Sequence, residues 1–341
     1  MDTMKTLVCQ EPTRLVYQQR PIPQPASDEA VLKILTVGIC GTDIHAWSGQ
    51  QPFFSYPRVL GHEICGEIVS RGNQVTELRI GQRVAVIPYV SCNHCGACNS
   101  GRTNCCENVS VIGVHQDGGF SEYLSVPVSN LLVVDDVEPQ AAALTEPFAI
   151  SAHAVRRSAI EQGDHLLVVG AGPIGLGVAA IAKADGAKVI VADTSALRRE
   201  HVEKMLGLTT LNPADEGFEQ ALREQFSGML AAKIIDATGN QLAMNHSVNL
   251  IRHGGSITFV GLFKGDLQFS DPEFHKKETT MMGSRNATKE DFIKVGRLMA
   301  AGKLTAQMML SHQFDFATLA DKYQAEVINN KALIKGVIHF N

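Results

Sequence analysis

The 341-residue chain is 45% hydrophobic and 19% charged, which provides enough apolar sequence for about two domains with buried cores. Its formal net charge of −5, with basic pairs scattered along the chain, offers no positive surface for nucleic acid or anionic lipid. Composition therefore argues against a single small module and against nucleic-acid or membrane partners, and it leaves a small molecule as the expected partner.

The N-terminal segment predicts a cytoplasmic protein. Its apolar patch at 7–9 is followed by Glu11 and Pro12 and is too short for a signal-peptide core. The uncharged stretch 166–182 contains four glycines and a proline, and it is shorter than the ~20 apolar residues of a membrane span. We therefore expect a reducing compartment, in which clustered thiols hold metal more often than they form disulfides.

Two segments, VGICGTDIHAW and RVLGHEICGEIV, contain the side chains of a candidate catalytic metal site. Cys40 offers a thiolate and His62 an imidazole, while Glu63 and the later Glu146 offer carboxylates. A catalytic zinc takes about three protein ligands and keeps one position open, and this mixed set suits it. Taken singly, Cys40 is better explained as a buried thiol, His62 as a core or surface histidine, and Glu63 as an ion-pair partner. The hypothesis rests on their conjunction with the motifs that follow.

Five of the eight cysteines lie within fifteen consecutive residues, as Cys92-x2-Cys95-x2-Cys98 followed by the adjacent Cys105 and Cys106. Two C-x2-C steps direct thiolates to a common centre, and a later cysteine completes a tetrahedron around zinc. A site closed by four thiolates has no free position, so it stabilises a loop and performs no chemistry. A redox C-x-x-C and an iron–sulfur cluster are the alternatives. Spacing alone does not choose between Cys105 and Cys106.

The segment 164–195 predicts a strand, a glycine-rich turn, a helix and a second strand. After the apolar run 166–169 the glycines follow a G-x-G-x-x-G pattern, which allows a tight turn, close approach of the backbone to a pyrophosphate, and close packing of helix on strand. The N–H groups at the helix N-terminus then face the phosphates. The predicted phosphate loop comprises Gly170, Gly172, Pro173, Ile174 and Gly175.

The second strand of this unit, 189–192, ends in Asp193. A carboxylate at this point binds the ribose hydroxyls of the adenosine and repels a 2′-phosphate, so NAD is favoured over NADP. Arg198 weakens the preference for NAD, because a nearby arginine can bind a 2′-phosphate. The same arginine can equally lie along the adenine or face solvent.

The alternation continues, with strands expected near 209–211, 233–237, 256–260 and 279–282 and helices between them. This pattern predicts a doubly wound parallel sheet of about six strands, whose ligands bind outside the carboxyl ends of the strands. The residues expected at the nicotinamide end are Val260, Gly261, Leu262, Ser284, Arg285 and Asn286. Arg285 and His115 are candidates for binding a substrate carboxylate, with solvent exposure or packing as the alternative role.

Seven motifs follow one another along nearly the whole chain: GICGTDIH, GHEICGEIV, GQRVAVIPYVSCNHCGACNSGRTNCC, GGFSEY, EPFAISAHAV, GAGPIG and IKGVIHF. With these motifs in the same order, the chain resembles the zinc-dependent medium-chain dehydrogenases, which include alcohol, sorbitol and threonine dehydrogenases. The resemblance implies an α/β protein with a GroES-like β-rich catalytic domain and a Rossmann domain, two zinc ions per chain and NAD. It implies a catalytic domain at 1–148 with a structural zinc lobe at about 88–110, an NAD-binding domain at 149–284, and a return to the catalytic domain at 285–341.

The resemblance also implies roles for single residues. Cys40 and His62 correspond to catalytic zinc ligands and Glu63 lies next to the metal. Glu146 falls where alcohol dehydrogenases carry a second cysteine, as in the sorbitol and threonine subset, and whether Glu63 or Glu146 binds directly or through water stays open. The family's fourth structural cysteine follows seven intervening residues, which corresponds to Cys106.

Thr42 matches the family's relay hydroxyl, which passes a proton through the cofactor ribose to His45 and solvent. A hydroxyl that only caps a turn is the alternative. The implied activity is oxidation of a secondary hydroxyl of a polyol or sugar acid, and three segments, YPRVLGHEICGEIV, VIGVHQDGGFSEY and FHKKETTMMGSRNAT, most resemble the family's sugar-acid enzymes.

Two other functions share this fold. The first is a zinc-free quinone-type reductase, which would leave Cys40, His62 and the thiol-rich segment without a role. The second is a non-catalytic nucleotide-sensing protein, and the presence of all the predicted metal ligands and proton-relay residues argues against it. The family also implies a homodimer or homotetramer, for which 256–264 is the expected contact edge.

Overall fold

The computed structural model describes residues 2–51 and 54–340, which divide into two compact units. The first unit consists of Met1–Glu146, Thr288–Ala306 and Leu310–Asn341, and the second of Pro147–Ala287 and Gln307–Met309. The expected boundaries at 148/149 and 284/285 differ from these by two and three residues. The three-residue return at 307–309 has no counterpart in the sequence prediction.

The elements are numbered in chain order through both units. The strands are β1 Thr3–Glu11, β2 Arg14–Pro21, β3 Glu29–Ile39, β4 Arg58–Val59, β5 Glu63–Arg71, β6 Arg83–Val86, β7 Tyr89–Val90, β8 Ser110–Val111, β9 Tyr123–Pro127, β10 Leu131–Val133, β11 His165–Val169, β12 Lys188–Ala192, β13 Thr209–Leu211, β14 Ala231–Asp236, β15 Ile251–Phe259, β16 Thr280–Gly283, β17 His312–Asp315 and β18 Gly336–His339. The helices are α1 Gly41–Trp47, α2 Gly96–Asn99, α3 Pro139–Ala143, α4 Thr145–Arg157, α5 Pro173–Ala184, α6 Ala196–Leu206, α7 Phe218–Gln225, α8 Gln241–Leu250, α9 Asp271–Lys276, α10 Lys289–Ala300 and α11 Leu319–Lys322.

The first unit is built on a mainly antiparallel sheet in the order β10-β6-β5-β3-β18-β17, with β9 also paired to β3. Strand β3 pairs with three neighbours and is therefore apolar along most of its length. Eight of its eleven residues are hydrophobic or glycine. Its side chains pack with Phe120, Leu60 and Ile64 in one core. This sheet holds the ends of β3, β5 and β18 side by side.

The second unit contains the predicted doubly wound sheet, with six parallel strands in the order β13-β12-β11-β14-β15-β16. The fold class is confirmed, and each of the six predicted strands lies within a few residues of its observed bounds. The exception is the expected contact edge at 256–264. Residues 256–259 belong to β15, which lies between β14 and β16, so this part of the segment is not an edge strand. Contact of 256–264 with a second copy of the chain stays a prediction.

Helix α5 follows the glycine turn as predicted and ends before Gly186, whose φ of +89° suits glycine. The uncharged stretch 166–182 comprises most of β11 and most of α5, and α5 packs against β11 and β12. Within the described ranges, we find no helix that is both long and apolar enough to cross a membrane.

Candidate metal centre and cofactor site

Two adjacent strand ends bring Cys40, His62 and Glu63 together. Strand β3 ends one residue before Cys40 and β5 begins at Glu63, and the antiparallel register pairs Gly38 with Glu63. One ligand atom from each of Cys40, His62 and Glu63 lies within 4.8 Å of the other two. His62 and Glu63 are buried. Residues 23 positions apart in sequence thus form a compact group with one sulfur, one nitrogen and one carboxylate.

Asp43 fixes the backbone on both sides of this group. It lies at the third position of α1, where its Oδ2 accepts the N–H of Cys40 at 2.8 Å and its Oδ1 accepts the N–H of Gly61 at 3.1 Å. His62 Nδ1 lies 3.8 Å from Asp43 Oδ1. Burial raises the pKa of Asp43, and the neighbouring His62 opposes that shift. At 3.8 Å the Asp43 carboxylate acts on the imidazole electrostatically, and His62 Nδ1 has no hydrogen-bond partner in the described part of the chain.

Lys335 lies behind Glu63. It immediately precedes β18, whose Gly336 pairs with Ile39, so the topology delivers its side chain to the same end of the sheet. Its Nζ donates to Glu63 Oε1 at 2.6 Å and to the Ile39 carbonyl at 3.1 Å. Burial opposes the charge on Lys335, but Glu63, Cys40 and Glu146 together outweigh that effect, so the pKa of Lys335 is raised. Both side chains are almost completely buried, which makes this a buried ion pair.

Glu146 lies in the first turn of α4 and approaches the group from another side. It is not among the three residues whose ligand atoms lie within 4.8 Å of one another, but it interacts electrostatically with His62 and Glu63. The hydroxyl of Tyr89 donates to Glu146 Oε1. Burial raises the pKa of Glu146 to about 7, with His62 acting in the opposite direction.

The unpaired atoms at this site fit a metal cation. Within the described part of the chain, Glu63 Oε2 and Glu146 Oε2 are both buried without a hydrogen-bond partner. Leaving a buried polar atom unpaired costs about 1 to 3 kcal/mol, and more when it is charged, so two carboxylate oxygens in this state require a partner. A divalent cation held by Cys40 and His62 supplies one, and the sulfur, nitrogen and oxygen donors suit zinc.

The four-cysteine cluster lies in a loop that is closed by pairing of β7 with β8. The sulfurs of Cys92, Cys95, Cys98 and Cys106 lie within 4.8 Å of one another. The Cys92 N–H points at Cys106 Sγ at 3.3 Å, and the backbone N–H of His94 lowers the pKa of Cys92 to about 6. The adjacent Cys105 is exposed. Four thiol groups facing one centre fit a closed tetrahedral zinc site.

In the second unit, the phosphate loop follows β11 directly. Gly170 has a φ of +96°, and a Cβ on Gly175 would lie 1.7 Å from the Gly170 carbonyl oxygen. Gly172 caps α5 and Pro173 occupies its first turn. No heavy atom of the described chain lies within 4 Å of a Cβ built on Gly172, so its backbone faces open space. This is the arrangement that lets a pyrophosphate approach the N–H groups of a helix.

Asp193 follows β12, and its carboxylate is hydrogen-bonded to the phosphate loop. Its Oδ2 accepts the N–H of Ala171 at 2.7 Å and its Oδ1 accepts the N–H of Ser195 at 2.8 Å. Arg198, the residue that could bind a 2′-phosphate, forms an ion pair with this carboxylate, with its Nη1 3.8 Å from Asp193 Oδ2. A 2′-phosphate near Arg198 would also meet the negative charge of Asp193.

The remaining predicted residues follow β15 and β16. The N–H groups of Val260 and Gly261 donate to the Asp236 carbonyl, and Leu262 is 88% exposed. The N–H of Ser284 donates to the Phe259 carbonyl. These residues therefore lie at the carboxyl ends of the central parallel strands. Arg285 and Asn286 continue this segment, and His115, in the first unit, accepts the N–H of Val111 through Nδ1.

Comparison with known proteins is consistent with this geometry. Residues 26–136 match the alcohol dehydrogenase GroES-like domain and residues 173–301 match the zinc-binding dehydrogenase domain. The chain is 71% identical over 340 residues to L-galactonate-5-dehydrogenase of Escherichia coli K12, covering 100% of both sequences. The chain belongs to the zinc-binding alcohol dehydrogenase family.

Two further relatives of this dehydrogenase family agree. Sorbitol dehydrogenase of Halalkalibacterium halodurans is 31% identical over 313 residues, covering 90% of this chain and 91% of the relative. The crystal structure of an alcohol dehydrogenase (rspB) from E. coli CFT073 complexed with NADH has a TM-score of 0.92 at 33% identity and covers 100% of both chains. The predicted family is confirmed.

Three residues that surround the metal group in this dehydrogenase were missed in the sequence: Asp43, Tyr89 and Lys335. The partners of Lys335 and Tyr89 are 272 and 57 positions away, so no local spacing connects them. Asp43 accepts the N–H of Cys40, three residues earlier, which is a local helix-capping pattern. The available signal was a single lysine in the otherwise apolar run ALIKGVIHF, since a charged residue there requires a buried partner.

Proposed function

We propose that this dehydrogenase oxidises the hydroxyl at carbon 5 of L-galactonate with NAD as the acceptor. The observation that carries the proposal is 71% identity along the full length of a relative that is named for this reaction. The substrate carbon gives up its hydrogen with the bonding electron pair to the nicotinamide ring, and the hydroxyl proton leaves separately. The products are a ketone, NADH and one proton.

The first unit provides the metal site and the proton path. Cys40 and His62, together with Glu63 or Glu146, are the residues that would hold the catalytic zinc. When bound, zinc supplies Lewis-acid stabilisation of negative charge on oxygen, which for water lowers the pKa from 15.7 to about 7 and corresponds to about 12 kcal/mol.

Helix α1 presents Thr42 and His45 three positions apart, and residues at this spacing share one face of a helix. Thr42 is half-buried and His45 is exposed. We assign Thr42 the role of accepting the substrate proton and His45 the role of releasing it to solvent. Asp43, on the same helix, keeps the Cys40 backbone in place during this transfer.

The second unit provides the cofactor site. Gly172 and the free N–H groups at the start of α5 would bind the pyrophosphate, and Asp193 would bind the adenosine ribose. The NADH in the related crystal structure supports this assignment. The structural zinc would be held by Cys92, Cys95, Cys98 and Cys106, and its role is to stabilise the loop.

A substrate panel tests the proposed function. Purified zinc-loaded protein is mixed with L-galactonate, sorbitol or L-threonine and either NAD or NADP, and NADH or NADPH formation is followed by absorbance. We expect L-galactonate with NAD to give the highest kcat/KM by at least about tenfold. A higher kcat/KM for sorbitol or threonine, or no oxidation of L-galactonate, would refute the proposal.

Recognition of the substrate carboxylate by Arg285 is tested with a matched pair of substrates. L-galactonate carries the carboxylate, whereas galactitol is the corresponding uncharged polyol. We expect Arg285→Ala to raise the KM for L-galactonate and to leave that for galactitol unchanged. Equal changes for both substrates would remove the carboxylate role.

A further inference from the structure

The two carboxylates at the metal centre are each held by one oxygen. Lys335 occupies Oε1 of Glu63, and the Tyr89 hydroxyl occupies Oε1 of Glu146. In both cases Oε2 is buried and has no hydrogen-bond partner within the ranges that the structure describes. In the described part of the chain, each carboxylate therefore has one oxygen that is hydrogen-bonded to the protein and one that is not.

The two partners differ in charge. The ammonium group of Lys335 neutralises Glu63, which weakens that carboxylate as a donor to a cation. Tyr89 is a neutral hydroxyl, so its hydrogen bond orients Glu146 and brings no positive charge that would compete with a cation for the carboxylate. Electrostatics therefore favours Glu146 over Glu63 for the stronger interaction with a metal held by Cys40 and His62.

Tyr89 is itself rigidly placed. It lies in β7, where it pairs with Val111 of β8, and its carbonyl accepts the side-chain amide of the buried Asn130 at 3.1 Å. Its ring meets Phe292 in an edge-to-face contact, with 6.3 Å between ring centroids. The same strand pair closes the four-cysteine loop. The hydroxyl is thus presented to Glu146 from a fixed backbone.

We propose that Tyr89 is a positioning residue for the catalytic zinc: it binds one oxygen of Glu146 and leaves the other for the metal site. The proposal rests on the proposed function only in requiring zinc at Cys40 and His62. Tyr89 does not touch the reacting atoms, so its effect is exerted through Glu146.

The test is the zinc affinity of the purified Tyr89→Phe enzyme. Phenylalanine keeps the ring contact with Phe292 and removes only the hydroxyl. Zinc per chain is measured during titration with a chelator, which separates the exchangeable catalytic zinc from the zinc of the four cysteines. We expect the catalytic site to bind zinc 10- to 100-fold more weakly, the usual effect of removing an outer hydrogen bond to a ligand, while the four-cysteine zinc is retained.

Tyr17→Phe is the matched control. It removes a hydroxyl in the same unit that donates to the Phe316 carbonyl, and it should leave the zinc affinity unchanged. Glu146→Ala and the double variant show whether Tyr89 acts through Glu146. We expect Glu146→Ala to weaken zinc binding and the added Tyr89→Phe to have no further effect in that background.

The proposal is overturned if Tyr89→Phe binds catalytic zinc as tightly as the unmodified enzyme, or if its loss of affinity is the same with and without Glu146. Far-UV circular dichroism and the retained four-cysteine zinc establish that each variant is folded. The zinc measurement needs no substrate. A protein that shows the expected zinc affinities and does not oxidise L-galactonate would therefore refute the proposed function and leave the role of Tyr89 standing.

Discussion

Replacing Lys335 by methionine should destabilise the first unit strongly. Methionine has nearly the length of lysine and fills the same volume, but it carries no charge and donates no hydrogen bond. The change leaves the Glu63 carboxylate buried and removes the Lys335 ammonium group that lies 2.6 Å from it. It also removes the group that donates to the Ile39 carbonyl. The side chains of Lys335 and Glu63 are only 2% and 0% exposed, so water cannot replace the lost ammonium group.

The magnitude follows from this burial. Removing one partner of a buried ion pair costs about 3 to 5 kcal/mol, because a charge is left uncompensated in a low-dielectric interior. The first unit contains about 200 residues, and at that size each kcal/mol shifts the melting temperature by about 2 to 4 °C. We therefore expect Tm to fall by about 6 to 20 °C.

The assay is thermal unfolding, followed by circular dichroism, of protein from which the catalytic zinc has been removed with a chelator, because a cation beside Glu63 would partly replace the lost ammonium charge. Lys322→Met is the matched control, since Lys322 is about half exposed and its nearest carboxylate, on Glu326, lies 3.7 Å away. An exposed pair of this kind contributes about 0 to 1 kcal/mol, so the control should shift Tm by no more than a few degrees. Equal shifts for the two variants would show that the Lys335–Glu63 pair does not stabilise the fold as argued.

Three further predictions concern the other sites. Cys98→Ser should reduce zinc from two ions to one per chain and lower Tm, whereas Cys105→Ser should change neither, as elemental analysis and melting curves will show. Gly172→Ala should leave Tm unchanged and raise the Kd for NADH at least about tenfold by fluorescence titration, whereas Gly175→Ala should lower Tm as well, because its Cβ would meet a carbonyl oxygen at 1.7 Å. Asp43→Asn should weaken catalytic zinc binding by about 10- to 100-fold in a chelator competition, and an unchanged affinity would contradict the orienting role.

The sequence was most informative where structure depends on neighbours in the chain. The phosphate loop from Gly170 to Gly175 and the carboxylate of Asp193 follow from strand and helix periodicity and from turn chemistry, and the structure places them at the ends of β11 and β12. The six parallel strands were predicted because each is a short apolar run between helical segments. The cysteine spacing likewise located the four-thiol loop.

The sequence was least informative where residues meet only through the tertiary fold. Lys335 reaches Glu63 because β18 pairs with β3 and β3 pairs with β5, a topology that no local pattern encodes. Tyr89 reaches Glu146 across 57 positions. The sequence also placed 256–264 at an edge of the sheet, whereas its strand part lies inside the sheet, because the order of strands depends on crossovers. The roles of single site residues stay predictions.

The most direct test of the account is reversible removal of the catalytic zinc. The protein is treated with a chelator under conditions that leave one zinc ion per chain, and the rate of NADH formation from L-galactonate is measured before treatment, after it, and after zinc is restored. We predict that activity is lost with the ion held by Cys40 and His62 and returns with it. Full activity in protein that retains only the zinc of the four cysteines would contradict the account.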